Sequence, residues 1–503
     1  MTELNNSLLT LPNGWVRTSL EHASQKITDG SHYTPSYVMD GYPFITITNL
    51  KGDCIDFSSA KLISEEDYQK LKDNCNPQLG DILFSKDGTV GKVVEINYEK
   101  LFIVLSSLAI IRPFKWFTIP AYLKYLLLSQ EVLDQATRFK TGTALTRIIL
   151  RNLKTIQIPI PPLPEQHRIV AKIEELFTRL DAGVSALNKI KLQLKRYRQS
   201  VLKAAFEGKL TADWREAHKG ELELASVLLE KIKAERARSG KYKELPPLDT
   251  SDLPELPEGW VWTRVGEIES FIGSGITPKG GKNVYVSSGI IFIRSQNIYP
   301  SGLRLDDVAY ITPEINLRMK RSIAYSGDVL LNITGASIGR STFIPESFEP
   351  ANVNQHVCII RMHQGILPKY LSFLLNSPFG QSQIFSTQGG VTRQGLNYTQ
   401  LRSISFPLQS IPEQQNIVEE IERHLSVADE TEKTIEQSIK QADRLRQSIL
   451  KRAFEGKLVP QNPDDEPAEK LLERIITEKA KQQASPITSR AKNKRNLIQG
   501  RLV

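Results

Sequence analysis

The sequence predicts an α+β protein: two β-rich domains related by internal duplication, and two long helices. Three observations predict it. The chain gives one series of motifs twice, in the same order. Each copy opens with short β-branched runs separated by Gly, Asn and Asp turns. Each copy closes on a long run whose apolar residues recur every three or four positions.

The duplication comes first. "LPNGWVRTSL" (11–20) returns as "LPEGWVWTRV" (256–265), and "GDILFSKDGTVGK" (80–92) as "GDVLLNITGASIGR" (327–340). "IPAYLKYLLLSQ" (119–130) returns as "LPKYLSFLLNSP" (367–378), and "SVLKAAFEGKL" (200–210) as "SILKRAFEGKL" (448–458). "PPLPEQHRIV" (161–170) has its echo in "SIPEQQNIV" (410–418). Chance does not keep so many matches in register, so the chain is a tandem repeat of one unit.

Taken in order, residues 1–160 form the first β-rich domain. They contain strand-like runs such as "YPFITITNL", a short helix near Leu123, and "LFIVLSSLAII" (101–111), which reads as one buried strand. Residues 161–210 form the first long helix. Pro164 suits its first position, with Glu and Gln following in the first turn. The apolar stripe runs through Ile169, Ile173, Leu176, Leu180, Val184, Leu187, Ile190, Leu194, Tyr197 and Val201, the seam of a coiled coil. Gly208 stands where a left-handed cap would stop it, and 165–207 would span about 64 Å. A narrow stripe on one helix cannot bury itself, and its simplest partner is the second helix.

Residues 211–255 read as a helical linker, and 256–408 as the second domain, with a short helix near Leu371. Residues 409–458 repeat the long helix, with Pro412 at its start and Gly456 at its end. Residues 459–503 hold a charged helix and a basic tail expected to fray.

Totals restrict the function classes. At 503 residues the chain is too long for a single core. Cys54, Cys75 and Cys358 form no CxxC pair, which argues against a disulfide framework or structural zinc and favours a reducing cytoplasm. No stretch is long and apolar enough for a membrane span. The formal charge of +9 leans weakly towards polyanions.

The two domains agree where residues would pack and differ in their polar loops. "ITDGSHYTPSY" (27–37) faces "IGSGITPKGGKNVY" (272–285), and "VLSSLAII" (104–111) faces "NVNQHVCII" (352–360). One scaffold with altered loops looks like two readers of two inputs. The loop side chains suit double-stranded DNA, because Arg and Lys pair with guanine edges, Asn and Gln with adenine, and hydroxyls with phosphate. The DNA-binding candidates of the first domain are Lys26, His32, Tyr33, Lys86, Thr89, Lys140, Thr143 and Arg147. Those of the second are Thr277, Lys279, Lys282, Arg294, Asn297, Asn354, Gln355, Arg393 and Asn397. Arg147 and Arg393 each follow a threonine in a hydroxyl-rich stretch, "KTGTALTRI" and "STQGGVTRQGLN". They read as equivalent phosphate contacts.

Catalytic signatures are missing. "GSGITPKGGKN" (273–283) lacks the lysine spacing and the Ser or Thr of a phosphate loop. No Asn- or Asp-Pro-Pro-Tyr run, Gly-rich cofactor loop or HExxH occurs. "PDDEPAEK" (463–470) resembles a nuclease carboxylate cluster, but acids are ordinary at a helix start. The chain is therefore expected to be non-catalytic, with no metal and no cofactor of its own.

The LPxGW starts, "DGSHYTP", "GDILFSKDGTVGK", "PPLPEQHRIVAKIEELF" and the paired "AFEGKL" helix ends resemble the specificity subunit of type I restriction–modification systems, over nearly the whole chain. The resemblance implies two target-recognition domains, each reading one half of a gapped, asymmetric DNA site. It implies that the two helices pack as an antiparallel coiled coil and hold the domains apart. It also implies partners: two methyltransferase subunits using S-adenosylmethionine, and two restriction subunits using ATP and Mg. Two other classes stand beside this reading. A coiled-coil scaffold that binds only proteins accounts for the helices but not for two diverged basic domains. A self-contained nuclease or methyltransferase needs motifs the chain lacks.

Overall fold

The computed structural model describes residues 11–138, 147–238, 245–278, 280, 284–386 and 395–484. Contacts group the chain into two units, one of Met1–Leu187 with Gln437–Val503 and one of Asn188–Glu436. Each unit holds one β-rich domain, the N-terminal half of one long helix and the C-terminal half of the other.

In the first unit, strands Ser24–Asp29, Leu108–Pro113, Ile82–Ser85 and Val93–Glu95 lie side by side, all antiparallel. The apolar run Ile82–Ser85 is buried throughout, as expected of a strand covered on both faces. A second sheet joins Ile103–Val104, Tyr42–Ile45, Lys61–Ile63 and Tyr37–Val38, its first pair parallel. Val16–Ser19 and Gln157–Ile160, near the two ends of the domain, pair antiparallel and close it. The run 101–111 is not one strand. It gives Ile103–Val104 to one sheet and Leu108–Pro113 to the other, with a turn closed by Leu108 N donating to Leu105 O.

The second unit repeats this. Strands Glu269–Ser274, Val357–Met362, Val329–Asn332 and Ser341–Phe343 form one sheet, and Ala309–Ile311, Ile290–Ile293, Ala351–Val353 and Ile323–Ala324 the other. Val261–Arg264 pairs with Ser405–Leu408. The shared "GD" and "IIR" motifs meet as a bidentate ion pair in both. Arg112 donates through Nε and a terminal nitrogen to Asp81 at 2.8 and 2.7 Å, and Arg361 to Asp328 at 2.7 and 2.7 Å. Each carboxylate is 1% exposed, and two parallel bonds supply the compensation that a buried charge needs.

The long helices run Leu163–Phe206 and Ile411–Phe454, each of 44 residues. They begin one residue before the prolines and end just short of Gly208 (φ 71°) and Gly456 (φ 69°), both left-handed. Within each unit the paired halves run antiparallel. Lys191 meets Glu432 and Glu436, and Arg198 meets Asp429 and Glu432, in one unit; Asp181 meets Arg446 in the other. Ile169, Ile173, Ile417, Ile421, Ala428 and Ile435 of the stripe are buried. Ile190, Tyr197 and Leu445 remain 38–45% exposed, since two helices alone cannot cover each other's seam.

The recurring "PEQ" has a physical explanation. Trp15, from LPxGW, donates its indole N–H to Glu165 Oε2 at 3.1 Å, and Trp260 donates to Glu413 Oε2 at 2.8 Å. Gln166 accepts from Ile119 N and donates to Phe117 O and Pro161 O; Gln414 accepts from Leu367 N and donates to Gly365 O and Gln409 O. One buried amide thus satisfies three backbone groups where the domain turns into its helix. The "AFEGKL" ends do complementary work. Phe454 packs edge-on against Tyr122, with ring centroids 5.4 Å apart, and Phe206 against Tyr370 at 5.3 Å. Each unit is therefore clasped by the start of one helix and the end of the other. The following segments return to the same places. Ala225 N donates to Gly259 O and Ala468 N to Gly14 O, just ahead of each tryptophan.

Candidate nucleic-acid interface

Backbone hydrogen bonds gather the variable loops of each domain into one cluster. In the first domain Ser31 N donates to Val104 O, Ser106 N to Ser31 O, Lys86 N to Ser107 O and Ile148 N to Lys86 O. In the second, Asn354 N donates to Ile293 O, Ile333 N to His356 O and Leu396 N to Ile333 O. The loops touch so closely that glycine is required. A Cβ on Gly30 would lie 2.3 Å from Val104 O, and one on Gly275 1.6 Å from Val353 O.

This common frame sets the equivalences. Lys86 matches Ile333, Asp87 matches Thr334, Ser107 matches His356, and Ile148 matches Leu396 through the same backbone bond. The counterpart of Arg147 is consequently Gly395 and not Arg393, which corrects the equivalence drawn from the shared Thr-Arg pair.

In the first domain the cluster brings His32, Lys86 and Arg147 together with two acids. His32 Nε2 is 3.3 Å from Asp29, Lys86 Nζ is 3.5 Å from Asp29 and 3.6 Å from Asp87, and Arg147 Nε is 3.1 Å from Asp87. Lys86 is 1% exposed. It balances two carboxylates inside the domain and cannot present itself to DNA, so it leaves the candidate set. His32, Tyr33 and Thr89 are exposed, and Arg147 is half-exposed beside its acid. Lys26 is occupied elsewhere, with Nζ on Asp73 O and Asn74 Oδ1 where the helix Glu65–Cys75 ends. Lys140 and Thr143 lie outside the described residues.

In the second domain two further corrections apply. Asn297 is 2% exposed, accepts from Arg294 N and donates to Arg304 O. Asn354 is 7% exposed and accepts from His356 N. Both lock turns. Arg294 is committed to Asp307, and Asn397 caps the helix Tyr398–Ser403 through Gln400 N. Gln355 is exposed and Thr277 half-buried. Lys279, Lys282 and Arg393 lie outside the described residues.

The sequence reading passed over a cleft of about 370 Å³ in this cluster, lined by Ser295, Gln296, Tyr299, Thr334, Arg340 and His356, among others. One signal pointed to it. The GDxL motif ends on a basic residue in both copies, Lys92 and Arg340.

Comparison with known proteins agrees with this architecture. The family model described as "Type I restriction modification DNA specificity domain" matches residues 28–195 and 257–441. The chain is 28% identical over 499 residues to the type I restriction enzyme EcoBI specificity subunit of Escherichia coli, with 94% of each chain covered. It is 25% identical over 492 residues to the EcoKI specificity subunit of Escherichia coli strain K12, covering 93% of this chain and 96% of that one. Among solved structures, it is similar in fold to a chain described under "Structural basis underlying complex assembly and conformational transition of the type I R-M system". The TM-score is 0.62 and the identity 18%, with 89% of this chain and 99% of that one covered.

Proposed function

Because the chain belongs to the type I restriction modification DNA specificity family, we propose that it is the DNA-recognition subunit of such a system and that each domain reads one half of a gapped, asymmetric site. One observation carries the reading. The loop frame is built twice through matching backbone bonds, those of Lys86 N and Ile333 N and of Ile148 N and Leu396 N among them, yet carries different side chains at matching positions: Lys86 against Ile333, Asp87 against Thr334, Ser107 against His356. A frame held constant under changing side chains is what two readers of unlike half-sites require, because base edges are distinguished by side-chain donors and acceptors.

The chain scaffolds two methyltransferase subunits and two restriction subunits. S-adenosylmethionine, ATP and magnesium act in those partners. The match to specificity subunits supports a non-catalytic role here. Methylome sequencing of cells carrying the full gene set tests the proposal. A bipartite motif with an undefined gap, lost on deleting this gene alone, is the expected outcome. Partner assembly without any sequence-specific DNA binding would favour the protein-only scaffold.

A further inference from the structure

Arg304 and Arg340 of the second domain lean on the same aromatic ring. Their guanidinium carbons lie 3.8 and 5.1 Å from the centroid of Tyr299. Among the described residues no carboxylate lies within ion-pair distance of either group. The nearby Asp307 is engaged by Arg294 and Gln296. Two cations sharing one ring repel each other, and the ring relieves only part of that repulsion. An anion placed near both would relieve the remainder. The adjoining cleft, lined by Tyr299 and Arg340, supplies a further donor for it, the hydroxyl of Ser337.

The first domain lacks this feature at matching positions. Arg304 N donates to Asn297 O as Asp56 N donates to Asn49 O, so an arginine stands where the first domain has an acid. That acid is held by Ser58 and Ser59. Tyr299 corresponds to Lys51 in the matching two-residue strands. Arg340 corresponds to Lys92, whose Nζ donates to Leu50 O. At the matching positions the first domain's Asp56 and Lys92 are held internally, whereas among the described residues no carboxylate pairs with Arg304 or Arg340.

We propose that Arg304 and Arg340, ordered by Tyr299, clamp a backbone phosphate of the DNA beside the second half-site. This rests on the DNA-recognition reading above. A phosphate contact positions the duplex without specifying a base. The clamp therefore makes the second domain the more salt-sensitive of the two grips.

The test uses the complex with its methyltransferase subunits, titrated with target DNA over a range of salt. Arg304→Gln and Arg340→Gln should each flatten the slope of log K against log salt by about one unit. Affinity should fall alike for all sequences, and the methylated motif should stay unchanged. Arg304→Lys and Arg340→Lys should keep the wild-type slope. A wild-type slope in the Gln variants would overturn the clamp. So would an altered motif, which would mean base reading, or an equal loss in the Lys variants, which would mean a structural role. Failure of the wild-type complex to bind DNA specifically would instead overturn the proposed function.

Discussion

At Glu165 and at Glu413 the same carboxylate accepts the indole N–H of the tryptophan that opens its domain, but the two joints differ at the other oxygen. Glu413 Oε1 accepts from Arg215 at 2.9 Å and from Thr211 at 3.2 Å. Glu165 Oε1 is buried with no hydrogen-bond partner among the described residues, and burial raises its pKa above the ordinary carboxylate range. Arg168, whose charge acts on it, is drawn to Asp465 at 2.6 Å. The neighbouring glutamines have not diverged at all, for each satisfies three backbone groups in the same pattern. Duplicated joints stay fixed where a side chain serves the backbone, which every copy shares. They drift where it serves other side chains, which each copy can replace.

The largest effects should come from the helix ends. Phe454→Ala should loosen the first unit and Phe206→Ala the second, each by about 3–5 kcal/mol, the cost of emptying a buried aromatic site. Hydrogen exchange resolved by domain reads this directly. Loss of protection in the opposite unit would break the assignment of each helix end to its domain.

The two glutamates should then respond unequally. Glu413→Gln leaves Arg215 without its anion while Gly208 O still accepts from it, so the second unit should lose about 2–3 kcal/mol. Glu165→Gln removes a poorly compensated buried charge and should change the first unit by less than about 1 kcal/mol. Equal losses would refute the asymmetry. Because the folded pKa of Glu165 is raised, the folded state binds this proton more tightly than the unfolded chain does. The first unit should lose stability as pH rises from the ordinary carboxylate range through that raised value. Glu165→Gln should abolish this component, as thermal unfolding across pH would report.

The smallest effect belongs to Arg147. Its half-exposed pair with Asp87 should contribute less than about 1 kcal/mol. If the pair is its whole role, Arg147→Ala should lower stability slightly and leave the salt slope of DNA binding untouched. A flattened slope would restore it as a phosphate contact.

Much of this architecture was legible because it repeats. The motif series located the duplication, the stripe located both helices, and Gly208 and Gly456 marked where they stop. What escaped the reading depends on distant contacts. Nothing local shows that Lys86 points inward between Asp29 and Asp87, or that Asn297 and Asn354 lock turns. Buried turns and DNA-facing loops draw on the same polar residues. Likewise 101–111 is apolar on either side of Ser106 and Ser107 because both of its strands are buried, and periodicity cannot reveal that they belong to different sheets. The pairing of Arg147 with Arg393 failed for a related reason. Identity of two adjacent residues is weaker than the backbone bond that sets register.

Two copies of one frame should read two unlike half-sites independently. Replacing residues 11–160 with the matching domain of a relative, in cells carrying the partner subunits, tests it most directly. One half of the methylated motif should change, and the half read by 256–408 should stay as it was. A motif altered in both halves would contradict it.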